Sequence, residues 1–297
     1  MLVVSLLFLF CSDKKLDISD SDNLKTDNVA ATTKELVRTY TGLKPLEEIK
    51  FKVNDPDNSR GLSTEKVSHS YGVAAGERPH SISVESQSFF EKRNYNAVTL
   101  DTRSGKVLYL TFDCGYENGY TAKILDILKE KNIKAAFFCT LDEIKSEPEL
   151  IARMIKEGHI VGNHSTTHPS FAHISRAKMA QELEMCENYL RQHFGYSSKF
   201  FRFPKGEYSE SALDLIGNLG YVSVFWSLAY ADWDTAEQKG WQYAYDKVTS
   251  RLHPGAVILL HSVSPDNCYA LDKIIDYASE NGYRFASLEE LNLSYTH

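Results

Sequence analysis

The sequence predicts an α/β protein: a barrel-like sheet of parallel strands with crossover helices, preceded by an irregular N-terminal extension. Three observations carry this. From Thr102 onward, apolar runs of strand length alternate with segments whose apolar residues fall at helical spacing, joined by short loops. At 297 residues the chain is long enough for one large α/β domain plus an extension. Polar residues capable of chemistry recur at the ends of successive apolar runs, and the C-terminal strand ends are where a parallel barrel builds its active site.

Taken in order, Lys106 to Phe112 is an apolar run rich in Val, Leu, Tyr and Phe, and "TAKILDILKEKN" follows as a helix. "KAAFFCT" reads as a strand, "PELIARMIKEG" as a helix opened by Pro148 and closed by Gly158, and "HIVGNH" as the next strand. A long helix spans Ser175 to Phe194, then come strand "KFFRF", helix "SESALDLIGNLG" and strand "YVSVFWS". A helix from Trp241 to Leu252, strand "AVILLH", helix "YALDKIIDYASENG" and strand "YRFAS" complete the alternation.

Upstream the signals differ. Residues 1–11, "MLVVSLLFLFC", form an apolar run too short to span a bilayer but suited to an export signal or lipid anchor, so an extracytoplasmic or envelope location and a membrane tether are expected. Residues 12–35 are polar and Asp-rich, as a solvated linker is. Residues 36–101, with a short helix at "KELVRTY", read as an extension packed on the main domain (102–297) rather than as a unit with its own core. His69 and His80 fall there and read as packing or surface histidines.

The net charge of -7 and the lack of a Lys/Arg run exclude nucleic acid as a partner. Tyr and Phe, 17 and 15 in number, far outnumber Trp, a composition that suits sugars. The five cysteines are odd in number, widely spaced and without a CxxC pair, which excludes a disulfide framework and a structural zinc knot. Oligomeric state leaves no mark.

Asp113 closes the first strand of the main domain, His164 the third, Arg202 the fourth, Asp232 follows the fifth and His261 closes the sixth, so five polar residues converge on one rim. In "GNHSTTHPS", His164 and His168 are four apart, and a helical turn after the strand would let both rings share a metal. A third ligand is then required, with Asp113 or Cys114 as candidates.

"TFDCG", "HSTTH", "RFPKG", "DW" and "LLH" occur in the order and spacing of the polysaccharide deacetylases, carbohydrate esterase family 4, which this chain resembles from Thr102 to Leu291. The longer stretches "YLTFDCGYENGYT", "VFWSLAYADW", "QKGWQYAYD" and "HPGAVILLHSVSPDN" resemble the delta-lactam-biosynthetic de-N-acetylases of spore-forming bacteria. The resemblance implies a distorted (β/α) barrel and hydrolysis of acetyl from N-acetylmuramic acid in peptidoglycan glycan strands, preparing the muramic lactam of the spore cortex. It also implies roles: Asp113 as base and Arg202 as its partner, His164 and His168 as ligands of a divalent metal, typically zinc. The Lys205 backbone N–H would face the oxyanion, His261 would be the acid supported by Asp232, and Trp233 would wall the pocket.

Two departures stand out. Where the family's second aspartate ligates the metal, this chain has Cys114, which either completes a Cys-His-His site or is a small filler. Lys205 stands where glucosamine deacetylases have an aromatic residue, and its cation suits the lactyl carboxylate of muramic acid. The alternative enzyme is an N-acetylglucosamine deacetylase of peptidoglycan or chitin-like oligomers. Outside enzymes, the alternatives are an inactive glycan-binding homologue and a structural barrel of an envelope complex.

Overall fold

The computed structural model describes residues 39–103 and 105–291. The apolar run at 1–11, the linker at 12–35 and most of "KELVRTY" lie outside the described residues. In chain order the elements are β1 (Val67–Ser68), α1 (Ser81–Lys92), β2 (Ala97–Val98), β3 (Val107–Cys114), α2 (Thr121–Glu130), β4 (Ala136–Cys139), α3 (Leu141–Ser146) and α4 (Pro148–Lys156). There follow β5 (Ile160–Asn163), α5 (Arg176–Phe194), β6 (Phe200–Phe201), β7 (Glu207–Tyr208), α6 (Glu210–Asn218), β8 (Val222–Val224), α7 (Trp241–Thr249), β9 (Ala256–His261), α8 (Pro265–Glu280) and β10 (Arg284–Phe285). No described helix is long and apolar enough to cross a membrane.

One parallel sheet runs β10-β3-β4-β5-β6-β8-β2, with β9 on the free side of β3. The sheet curls until Leu228, just beyond β8, forms a parallel bridge with Ile258 of β9, so the two ends meet in a distorted barrel. Strand alternation sorts the side chains. In β3, Leu108, Leu110, Phe112 and Cys114 face the helix layer with Phe137, Cys139, Ile124 and Leu271, while Val107 and Tyr109 face the barrel interior with Phe138, Val257 and Trp226. Thr111 and Asp113 continue the inward set toward the rim. A third cluster, around Phe90, Phe201, Phe203 and Phe225, seats α1 and α6 against the sheet near β2, β6 and β8.

The helices begin where the residues allow. Ser175, Ser209 and Ser264 each accept a backbone N–H with their side chains at the starts of α5, α6 and α8, and Pro148 and Pro265 occupy first turns where no N–H is needed. Gly195 ends α5 in the left-handed conformation.

Residues 39–101 belong to the same compact unit as the barrel. β2 is a strand of the main sheet, paired with β8, and β1 pairs antiparallel with β7. The sequence reading did not mark α1, β1, β2 or α3. His69, read as a packing histidine, lies beneath the rim: its N–H donates to Gly206 O, and its ring Nε2 bonds Trp226 O at 2.8 Å. A cavity of about 460 Å³ opens at the other end of the strands, lined among others by Phe51, Glu187, Arg191, Tyr196 and Lys199, and contains none of the rim residues.

Candidate active site

The rim residues arrive as the strand ends dictate. Asp113 and His261 are direct neighbours in the β3–β9 register. Arg202, one residue past β6, is wholly buried, and each of its three side-chain nitrogens is engaged: Nη1 to Asp113 Oδ1 at 2.7 Å, Nη2 to Thr111 Oγ1 at 2.8 Å, and Nε to Val224 O at 2.9 Å. Its guanidinium also lies 4.2 Å from the centre of the Phe138 ring. Phe138 reaches that position because Gly162 stands beside it; a Cβ there would come within 2.5 Å of the ring.

Two carboxylates thus sit in contrasting surroundings. Burial pushes the Asp113 carboxyl up, but Arg202, then His164 and His261, outweigh it and hold the group below the ordinary carboxylate range. At the other side of the cleft, Asp232 Oδ1 pairs with His261 Nδ1 at 2.8 Å while Oδ2 accepts the His261 backbone N–H at 2.8 Å. Burial pushes the His261 imidazole down, yet the charge and hydrogen bond of Asp232 overcome this and raise it above its usual value. The arrangement sets a carboxylate whose ionised form is favoured beside an imidazole whose protonated form is favoured, a separation of the kind acid–base catalysis uses.

His164 and His168 converge, but not through a helical turn. The segment after β5 is a loop in which Ser165 and His168 both take positive φ, 71° and 55°. Glu182 of α5, fully buried, pins that loop by accepting from Thr166 N, Thr167 N and Thr167 Oγ1. The two Nε2 atoms end 3.2 Å apart. His164 Nδ1 bonds the carbonyl of Arg202 at 2.9 Å, and since a carbonyl only accepts, Nδ1 carries the proton and Nε2 presents its lone pair. Burial holds both rings below their ordinary value, His168 at about 4, so both are neutral at physiological pH. With His164 Nε2 as acceptor, His168 Nε2 donates across the 3.2 Å contact; two neutral imidazoles this close, one ring oriented by a carbonyl, are a donor pair that fits a divalent cation once that proton moves to His168 Nδ1. Asp113 Oδ2 lies 3.6 Å from His164 Nε2, and among the described residues no group of three or more His, Cys, Asp or Glu is already arranged as a metal cage.

Cys114 does not join them, which corrects the Cys-His-His reading. The alternation that turns Asp113 into the cleft turns Cys114 outward into the core beneath α2, where it is completely buried and its Sγ accepts from Ser262 Oγ at 3.3 Å. Cys139 occupies the same register on β4, on the same face.

Lys205 lies on the rim in a short 3-10 turn, exposed and at φ 59°. Its ammonium is near enough to help depress His168, although burial and His164 weigh more. Trp233 stands 59% exposed next to buried Asp232. Its loop is held by Gln238, whose amide donates to Asp232 O and Asp234 O, and by Asp266, which accepts from Lys239 N and Gly240 N. Residues that sequence reasoning passed over here are Thr111, Glu182, Tyr230 and Asn267. The alternation of β3 was signal enough for Thr111; the others depend on contacts across the fold.

Comparison with known proteins agrees with this geometry. Residues 101–224 match the polysaccharide deacetylase family. The chain is 49% identical over 198 residues to a 30.6 kDa protein of Geobacillus stearothermophilus, covering 66% of this chain and 75% of that one. It is 39% identical over 234 residues to the peptidoglycan-N-acetylmuramic acid deacetylase PdaA of Bacillus subtilis, covering 78% and 88%. The solved structure of that PdaA, described as a family 4 carbohydrate esterase, superposes with a TM-score of 0.74 over 77% of this chain and 98% of that one. A peptidoglycan-N-acetylglucosamine deacetylase of Bacillus cereus is 35% identical over 190 residues, covering 61% of this chain and 66% of that one. With its barrel, its rim and these relatives in agreement, the chain belongs to the polysaccharide deacetylase family, the family 4 carbohydrate esterases.

Proposed function

We propose that this protein removes acetyl from N-acetylmuramic acid in peptidoglycan glycan strands. The observation that carries the chemistry is the pairing of Asp113 and His261, side by side in register, each with its own charge partner, one shifted toward its ionised form and the other toward its protonated form. Asp113 takes a proton from water as that water attacks the acetyl carbonyl, with Arg202 fixing the carboxylate through one oxygen and leaving the other turned toward the histidine pair. The tetrahedral adduct collapses by breaking the C–N bond, and His261 donates its Nε2 proton to the departing nitrogen, so that amide and water become amine and acetate. The backbone N–H of Lys205 faces the developing oxyanion. His164 and His168 would hold a divalent cation, zinc by donor type, which supplies Lewis acidity toward the carbonyl when bound.

Specificity for muramic acid rests on Lys205. Its exposed ammonium at the rim suits the lactyl carboxylate, while Trp233 offers a face for the sugar. The identity to PdaA supports this substrate. The reading extends to an activity in the cell envelope, with the product feeding the muramic lactam of spore cortex and the apolar segment at 1–11 acting as export signal or tether. An N-acetylglucosamine substrate is the second reading, favoured by the identity to the B. cereus enzyme. Mass spectrometry of muropeptides before and after treatment, with and without chelator, decides between them: acetyl must leave muramic acid, and chelator must stop it. Unchanged activity of Lys205→Tyr on muramoyl glycans would remove Lys205 from the explanation.

A further inference from the structure

We infer that Asn267, held by Tyr230, is the positioning residue for the acid side of the cleft: it clamps the Asp232 carboxylate and the His261 backbone into the one arrangement in which Asp232 serves His261. Asn267 lies in the first turn of α8, completely buried. The Ser264 cap accepts its backbone N–H at 3.2 Å, which leaves the side chain to turn back toward the rim. Its Nδ2 donates to Asp232 Oδ2 at 2.6 Å and to His261 O at 3.1 Å. The amide has only one workable orientation. Tyr230 donates its hydroxyl to Asn267 Oδ1 at 2.5 Å, and a flipped amide would set its carbonyl against the Asp232 carboxylate.

The need for such a clamp follows from burial. Asp232 is only 2% exposed, so its Oδ2 depends on protein donors, and it has two, the His261 backbone N–H and Asn267 Nδ2. Loss of the shorter one would leave a buried carboxylate oxygen under-satisfied, and rotation to find another donor would break the bond to His261 Nδ1. Asn267 opposes that rotation and ties the carboxylate to the backbone of the residue it serves. Neither Asn267 nor Tyr230 has a role in the acid–base steps themselves.

This inference rests on His261 being the acid, so His261→Ala is the first measurement: activity retained in that variant overturns the acid assignment and the clamp with it. Asn267→Ala and Tyr230→Phe are then compared with the parent over a full pH range on muramoyl glycan strands. The expected result is a kcat lower by about 10- to 100-fold in Asn267→Ala, part of the roughly 10²–10⁴ that an acid supplies, with KM little changed. The alkaline limb of the profile moves to lower pH, and Tyr230→Phe does the same to a smaller extent. A uniform loss at every pH, with the limb in place in both variants while His261→Ala is dead, would mean that Asn267 only packs. Tyr230→Phe removes one buried hydroxyl and leaves Asp232 untouched, so it tests the clamp if Asn267→Ala does not fold.

Discussion

Replacing Arg202 by methionine tests the base side of the cleft most directly. Methionine keeps an unbranched stem in the same place and removes the charge together with its stacking on Phe138. The Asp113–Arg202 contact is 2.7 Å, with charge centres about 4 Å apart, so at an effective dielectric near 20 the attraction is about 4 kcal/mol. His164 and His261 still favour the carboxylate, so part of the depression survives in the variant. The sign is fixed: burial raises the Asp113 carboxyl and Arg202 lowers it, so without Arg202 the base is lost at a higher pH. The acid limb of kcat/KM therefore moves upward. Stability falls as well, by about 3 to 5 kcal/mol for a buried partner left alone, within reach of a domain stable by about 5 to 15 kcal/mol. The assay is acetate release against pH, with urea unfolding in parallel and Arg202→Lys as a milder variant. A folded Arg202→Met enzyme whose acid limb has not moved would show that Arg202 does not set the ionisation of the base, and the reasoning would fail.

Asp232→Asn should shift the opposite limb: burial still disfavours the His261 imidazolium, the carboxylate that favoured it is gone, and activity on the alkaline side should be lost at lower pH. An unmoved alkaline limb would count against His261 as the acid. Cys114→Ser places a hydroxyl in an apolar layer, softened by the neighbouring Ser262, and should lower stability by about 1 to 3 kcal/mol with metal stoichiometry and affinity unchanged. A metal titration in which binding falls would return Cys114 to the metal site.

The barrel and most of its rim were readable from sequence because the signals are local. Strand-length apolar runs ending on Asp113, His164 and His261 carry the periodicity with them. Cys114 shows where that reading stopped short: alternation along β3 already separates odd from even residues, yet adjacency to Asp113 suggested a shared ligand role. The histidine pair was legible in spacing but not in mechanism, since a loop with two left-handed residues, anchored by Glu182, brings the rings together. Asn267 and Tyr230 could not be found by spacing, because their meaning lies in a hydrogen bond across 37 positions. α1 was passed over for another reason: of its three buried residues, Ser83, Gln87 and Phe90, two are polar, so no apolar stripe marks it. β1 and β2 are two-residue strands fixed by their partners.

The pairing of Ser68 with Glu207 has a consequence for how the protein is made. During synthesis the segment carrying His69 emerges long before the turn of Pro204–Gly206 that it supports, and the intervening barrel must form before the two can meet. Contacts so distant in sequence are slow to close. The catalytic rim is therefore expected to be completed late in folding, and pulsed hydrogen exchange should show protection of β3 and β4 before that of Gly206 and β7. Simultaneous protection would contradict this order. A fragment begun at residue 102 would lack β1, α1 and β2, and would be left with an open edge at β8 and an unsupported turn at the heart of its chemistry.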